Sequence, residues 1–121
     1  MAYFPTTYNL ALYEGDTVDF DVTYKEGDEG AEVGIALTGS TLLCQIREDA
    51  TDVATAAVFT VTADADQVTN PGLMNVVLDE TNAELLTGGT AYVYDLEITW
   101  ANGNIQTIIR GAITVEPGVS R

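Results

Sequence analysis

The sequence predicts an all-β protein, an antiparallel β-sandwich of about seven strands with one short helix. Three observations support this prediction. Apolar and polar residues alternate with a period of two along several stretches, which is typical of strands with one buried face. Clusters of Gly, Asn, Asp and Pro separate these stretches. The 121 residues, 46% hydrophobic and 19% charged, have the size and composition of one globular domain with its own core.

The strand candidates follow one another along the chain. In order, they are a strand near Leu10 and the segments Val18–Tyr24, Leu42–Arg47, Val58–Thr62, Leu73–Leu78, Tyr94–Trp100 and Ile105–Val115. Asn102-Gly103 is a strong hairpin signal, so the last two strands are predicted to be an antiparallel pair. Gly111 predicts a bulge or bend within the longest strand.

One segment departs from the strand pattern. Thr81 with Glu84 three residues later matches a capping box, and Gly88 is placed to end a helix. We therefore expect one or two helical turns between two strands. The regular spacing of turns favours an immunoglobulin-like sandwich, although the Cys…Trp…Cys spacing of true immunoglobulin domains is absent.

The domain organisation follows from these elements. We expect an N-terminal arm or first strand at 1–9, the sandwich at 10–116 and a short tail at 117–121. The N-terminus lacks the basic start and apolar run of a signal peptide, and no apolar stretch approaches the roughly 20 residues of a membrane span. The single Cys44 lies in an apolar strand, so we expect a small buried hydrophobe.

The charge is strongly negative, with 19 acidic residues, 4 basic residues and a net charge of −15. Phosphate backbones and anionic membranes are disfavoured as partners, whereas a protein with a basic contact surface is favoured. Asp19, Asp21, Asp95 and Glu97 occupy outward strand positions. They are candidates for an acidic docking patch if their two strands lie in one sheet; the alternative is an ordinary solvated sheet face.

Catalytic and metal-binding chemistry has little support. With no His and one Cys, neither a Ser/His/Asp or Cys/His pair nor a Cys/His zinc site can be built, so we predict neither an enzyme nor a cofactor. Weak calcium-site candidates are Asp28, Glu29 and Glu32, and the pair Asp64 and Asp66; solvated acidic loops are the alternative. Tyr92, Tyr94 and Trp100 could line a sugar-binding groove, but at period two they more often fill a core.

Several segments, taken in order, resemble a known family. They are Gly15-Asp16-Thr17, Leu37-Thr38-Gly39 before Leu42-Leu43-Cys44-Gln45-Ile46-Arg47, Thr81 to Leu86 before Tyr92-Val93-Tyr94-Asp95-Leu96-Glu97-Ile98, and Asn102-Gly103 before Ile108-Ile109-Arg110-Gly111-Ala112-Ile113-Thr114-Val115. This order is similar to the small β-sandwich domain of tailed-phage baseplate and tail proteins, such as the N-terminal domain of siphophage upper baseplate proteins and related tail-fibre-associated modules.

The resemblance implies a non-enzymatic virion protein, assembled in the host cytoplasm, that docks on other virion proteins and is usually part of a homo-oligomer. A head decoration or cement protein is the alternative within this class, and a calcium- or carbohydrate-binding sandwich module is the alternative outside it. The aromatic residues Tyr3, Phe4 and Tyr8 near the N-terminus are further candidates for partner contact.

Overall fold

A computed structural model describes residues 6–27, 30–49 and 54–118. Within these ranges the chain forms ten strands and one helical turn. In chain order they are β1 (Thr6–Thr7), β2 (Leu10–Tyr13), β3 (Val18–Thr23), β4 (Lys25–Glu26), β5 (Val33–Gly34), β6 (Thr41–Arg47), β7 (Ala57–Ala63), β8 (Leu73–Leu78), α1 (Glu80–Ala83), β9 (Ala91–Thr99) and β10 (Ile105–Glu116). Seven of the strands have four residues or more, which confirms the all-β prediction.

The long strands form two facing layers. Strand order is β1-β10-β9-β6-β7-β8-β3, with β2 also paired to β10, and β4 and β5 form a separate small hairpin. Strand β7 connects the layers, because its first half pairs with β6 and its second half with β8. Phe20 of β3 packs edge-on against Phe59, with ring centroids 6.3 Å apart. The result is the immunoglobulin-like sandwich that the sequence predicts.

The sheet is mixed, so the prediction of a strictly antiparallel sandwich is wrong at the N-terminus. β1 pairs in parallel with Ile109 and Arg110, and β2 pairs in parallel with the stretch from Ile113 to Glu116. All other strand pairs are antiparallel among the described residues. β1 and β2 therefore lie at the edge of the sheet beside the last strand.

The core lies between the two layers and follows the predicted alternation. Strand β9 alternates buried and half-buried residues along most of its length. The large side chains that are almost fully buried are Ile46, Met74, Leu78, Leu86, Leu96, Ile98 and Ile113. Burial of an aliphatic side chain contributes about 1.5–3 kcal/mol, and this apolar layer is the main source of stability.

The last hairpin is confirmed, but two local details differ from the prediction. Gly103, at φ 91°, closes the turn between β9 and β10, and its N–H donates to the Trp100 carbonyl at 2.8 Å. The bulge in β10 falls between Thr107 and Ile109, not at Gly111. It leaves both Ile108 and Ile109 buried.

Gly111 allows the backbone of β10 to lie close to the backbone of Tyr8. A Cβ atom built on Gly111 would lie 2.1 Å from the carbonyl oxygen of Tyr8. The Tyr94 hydroxyl donates a short hydrogen bond to that same oxygen, and the Asn9 side chain accepts from the Ala112 N–H at 2.9 Å. Tyr8 and Asn9, which lie between β1 and β2, are thus held against β10 at the position where Gly111 has no side chain.

The N-cap of the helical turn lies two residues before the predicted one. Asp79, not Thr81, is the N-cap, and its carboxylate accepts from the Asn82 N–H at 2.9 Å. The helix ends at Ala83, well before Gly88, because the chain must bury Ala83 and Leu86 and then enter β9. One short helix is nevertheless confirmed.

Candidate docking surfaces

The two predicted acidic pairs do not form one patch. Asp19 and Asp21 lie on β3, and Asp95 and Glu97 lie on β9. Three strands separate β3 from β9 in the sheet order, and the fold places the two strands in opposite layers. The two strands are therefore not neighbours, and the two pairs do not form the predicted common patch.

The first pair remains together on the outer side of the β3–β8 layer. Asp19 and Asp21 are exposed, and both carboxylates accept a hydrogen bond from the side-chain nitrogen of Asn75, at 2.7 Å and 3.1 Å. We call Asp19, Asp21 and Asn75 the acidic face. Among the described strands, β3 pairs only with β8, so this face lies at an edge of the sheet, where charges also discourage unwanted strand pairing.

The second pair lies in a different surface, on the outer side of the β6–β9–β10 layer. In the sheet register, Asp95 stands between Gln45 of β6 and Arg110 of β10. Two residues earlier on β9, Val93 lies between Arg47 of β6 and Ala112 of β10. We call the groove of about 440 Å³ at this place the arginine groove; its lining residues are Thr7, Asn9, Gln45, Arg47, Val93, Tyr94, Asp95, Arg110, Gly111 and Ala112.

The side chain of Arg47 is held in the arginine groove. Its Nη2 donates to the Gln45 side-chain oxygen at 2.6 Å. Its Nε is buried and has no hydrogen-bond partner among the described residues. A buried donor without a partner is costly, so this Nε is an uncompensated polar group in the folded protein.

Sequence reasoning did not identify this groove. Arg47 and Arg110 are two of only four basic residues, and both stand at outward strand positions, which is the one signal that the sequence offers. Both line the groove because β6, which is distant in sequence, pairs with the hairpin of β9 and β10 in this register.

The calcium candidates that the structure describes have local roles. The Asp66 carboxylate accepts from the N–H groups of Val68 and Thr69, and these bonds, chiefly that of Thr69, lower the pKa of Asp66. Asp64 accepts from the Asp66 N–H at 3.0 Å, and Glu32 accepts from the Gly30 N–H at 2.7 Å.

Within residues 6–27, 30–49 and 54–118, no group of three or more His, Cys, Asp or Glu side chains has an arrangement that could hold a metal ion. Asp28 and Glu29 lie outside the described residues.

The aromatic candidates lie mainly inside the protein. Tyr92 and Tyr94 are buried, and Trp100 packs against the core. Tyr8 is 47% exposed, but its ring contacts Phe20 with centroids 5.5 Å apart and its N–H donates to the Arg110 carbonyl at 2.9 Å. Tyr8 is therefore part of the sandwich edge. Tyr3 and Phe4 lie outside the described residues.

Cys44 is buried, as predicted. Burial raises the pKa of its thiol, and the nearby negative charge of Asp95 raises it further. A thiol in this environment stays protonated and packs as a small apolar side chain.

The part of the chain that the structure describes contains no helix long and apolar enough for a membrane span.

Comparison with known proteins adds no family. No family model matches the chain, and no curated protein matches it. Among solved structures, the chain is similar to murine CRIg, with 12% identity over 94% of this chain and 93% of that chain and a TM-score of 0.38. At this TM-score the likeness carries no argument about function.

Proposed function

We propose that this chain is a non-enzymatic structural protein of a tailed-phage virion, which docks on other virion proteins in the tail or baseplate. The acidic face is the observation that carries the docking part of the proposal. Two exposed carboxylates are held side by side on one strand by one neutral amide. Such a pair matches a basic contact surface, which would also speed the encounter of the two partners.

The assignment to a phage particle rests on the resemblance of the strand motifs to tail and baseplate sandwich domains. The pairing of β9 and β10 around the Asn102-Gly103 turn is the region that carries most of this resemblance. The fold is compatible with it, because a sandwich offers rigid outer faces for assembly. A fold alone does not determine function, so the location needs a direct test.

Immunogold labelling provides this test. An antiserum raised against the purified chain is applied to phage particles released from cells that carry the gene, with pre-immune serum as the control. We expect gold particles at the tail or its tip. Labelling of the head would replace the tail location with that of a decoration protein. Particles that carry no label, although the antiserum detects the chain in the lysate, would contradict the virion assignment.

A further inference from the structure

The charges of the chain are distributed unevenly over its two outer faces. The acidic face carries two carboxylates within one short stretch of β3. The arginine groove, on the opposite layer, contains Arg47 and Arg110 against the single carboxylate of Asp95. Among the residues that line the groove, two positive charges and one negative charge leave an excess of one positive charge, in a chain whose net charge is −15.

We propose that the acidic face of one copy docks into the arginine groove of a second copy, so that copies associate head to tail. This inference rests on the docking function proposed above and names the partner as the chain itself.

Among the residues that the structure describes, the acidic face has no charged partner. Asp19 and Asp21 are two residues apart on the same side of a strand, roughly 7 Å between their Cα atoms. Like charges this close repel each other, and the Asn75 amide that both contact supplies a hydrogen but no positive charge. A guanidinium would neutralise the pair and form stronger, charge-assisted hydrogen bonds.

The arginine groove has the matching chemistry. A guanidinium presents its N–H donors in a rigid fork that fits a carboxylate. Gln45 orients Arg47 through the 2.6 Å bond to Nη2, so less side-chain freedom is lost on binding. Arg110 is exposed on the neighbouring row of the register, so the two arginines approach a bound carboxylate pair from different strands.

The placement of the two surfaces determines the kind of assembly. They lie on opposite layers of the sandwich, so one copy can use both at once. Contacts between two different surfaces are heterologous and build rings or open rows rather than closed two-fold dimers. Two chains of charge −15 repel each other at long range, so the association is expected to be weak and to need the screening of physiological salt.

Sedimentation velocity over a concentration series up to about 1 mM tests the proposal. For the wild-type protein, we expect the mean sedimentation coefficient to rise with concentration. Arg47→Gln with Arg110→Gln removes the groove charges, and Asp19→Asn with Asp21→Asn removes those of the acidic face. Each double variant is expected to remain monomeric, with an unchanged circular dichroism spectrum.

Mixing the two double variants gives the sharpest result. One variant keeps an intact acidic face and the other keeps an intact groove, so exactly one kind of contact remains. The mixture is expected to form a 1:1 heterodimer that does not grow further. The control is Glu80→Gln with Glu84→Gln, at two exposed positions at α1. It removes the same number of negative charges away from both surfaces and is expected to associate like the wild type.

Three results would overturn the proposal: a wild-type protein that stays monomeric over the whole series, double variants that associate as the wild type does, or a mixture that forms no heterodimer. None of these results bears on whether antiserum labels virions, so failure of this inference and failure of the proposed function can be told apart.

Discussion

At the scale of single residues, Gln67 is the buried polar side chain on which two loops depend. Its side-chain oxygen accepts from the N–H groups of Leu37 and Gly72, at 3.0 Å and 2.9 Å. Its side-chain nitrogen donates to the carbonyls of Asp64 and Leu73, at 2.9 Å and 3.1 Å. The amide therefore uses its acceptor and donor capacity fully, which explains how a polar residue only 9% exposed is tolerated in this core.

Replacement of Gln67 tests this role. We expect Gln67→Leu to lower the free energy of unfolding by at least about 3 kcal/mol, since it leaves buried N–H and C=O groups without partners. Gln67→Glu keeps the acceptor but places a carboxylate against two carbonyl oxygens, which raises its pKa in the folded state. Its stability deficit should therefore be larger at about pH 7 than at about pH 4, where the acid is protonated and regains a donor.

Urea denaturation at the two pH values measures both effects. Gln45→Glu is the matched control, because it makes the same chemical change on the outer face, where, among the described residues, the Gln45 side-chain oxygen accepts a hydrogen bond from Arg47 alone. The control is expected to change stability by less than about 1 kcal/mol. Equal deficits for the two Glu variants would show that the buried donors of Gln67 do not matter.

At the scale of elements, the β1–β2 edge depends on the missing side chain of Gly111. A Cβ at that position meets the backbone of Tyr8, which has no flexible end that could move away. We expect Gly111→Ala to destabilise the protein by about 1–3 kcal/mol and to speed hydrogen exchange of the Tyr8 N–H, which is bonded to Arg110. Tyr94→Phe removes the donor to the Tyr8 carbonyl and should have a smaller effect, about 1 kcal/mol.

Ala112→Ser, at the neighbouring exposed position, serves as the control and should leave exchange at Tyr8 unchanged. If the Tyr8 N–H exchanges at the same rate in Gly111→Ala as in the wild type, the edge does not depend on the close approach of these two backbones.

The N-cap of α1 makes a pH-dependent contribution. The Asp79 carboxylate accepts hydrogen bonds from the backbone and the side chain of Asn82. These bonds, chiefly the backbone one, hold the pKa of Asp79 below 3.8 in the folded state. A lowered folded pKa stabilises the protein above the unfolded value of 3.8, and this contribution disappears as the pH falls through the folded pKa. In thermal melts, wild type should exceed Asp79→Asn in Tm at neutral pH, and the gap should close in acid. A gap that widens on acidification would reverse the sign of this coupling.

Elements that depend on neighbouring residues could be predicted from the sequence. Sites that depend on how distant strands pair could not. The alternation of β3 and the Asn102-Gly103 turn need only a few neighbouring residues, so both were predictable. Both Asp79 and Thr81 are good caps, and tertiary contacts such as the burial of Ala83 and Leu86 accompany the choice of Asp79. The parallel pairing of β2 with β10 and the placement of Arg47 and Arg110 in one groove each bring together segments that are distant in sequence, and no local pattern encodes them.

At the scale of the whole molecule, the excess of 15 negative charges opposes the apolar core. Confining like charges to a compact volume raises the free energy of the folded state relative to the expanded chain. Raising the salt concentration from about 0.01 M to about 0.1 M shortens the Debye length from roughly 30 Å to roughly 10 Å and so screens this repulsion. We therefore expect the Tm to rise with salt, by about 4 °C or more if the gain is about 1 kcal/mol.

Differential scanning calorimetry at low protein concentration measures this effect without a contribution from association. NaCl and KCl should act equally, because the mechanism is screening and not a specific cation. Glu80→Gln with Glu84→Gln removes two of the repelling charges and should reduce the slope of Tm against salt. A Tm that falls as salt is added would mean that favourable charge pairs outweigh the net repulsion, and that the negative charge is arranged to stabilise the isolated fold.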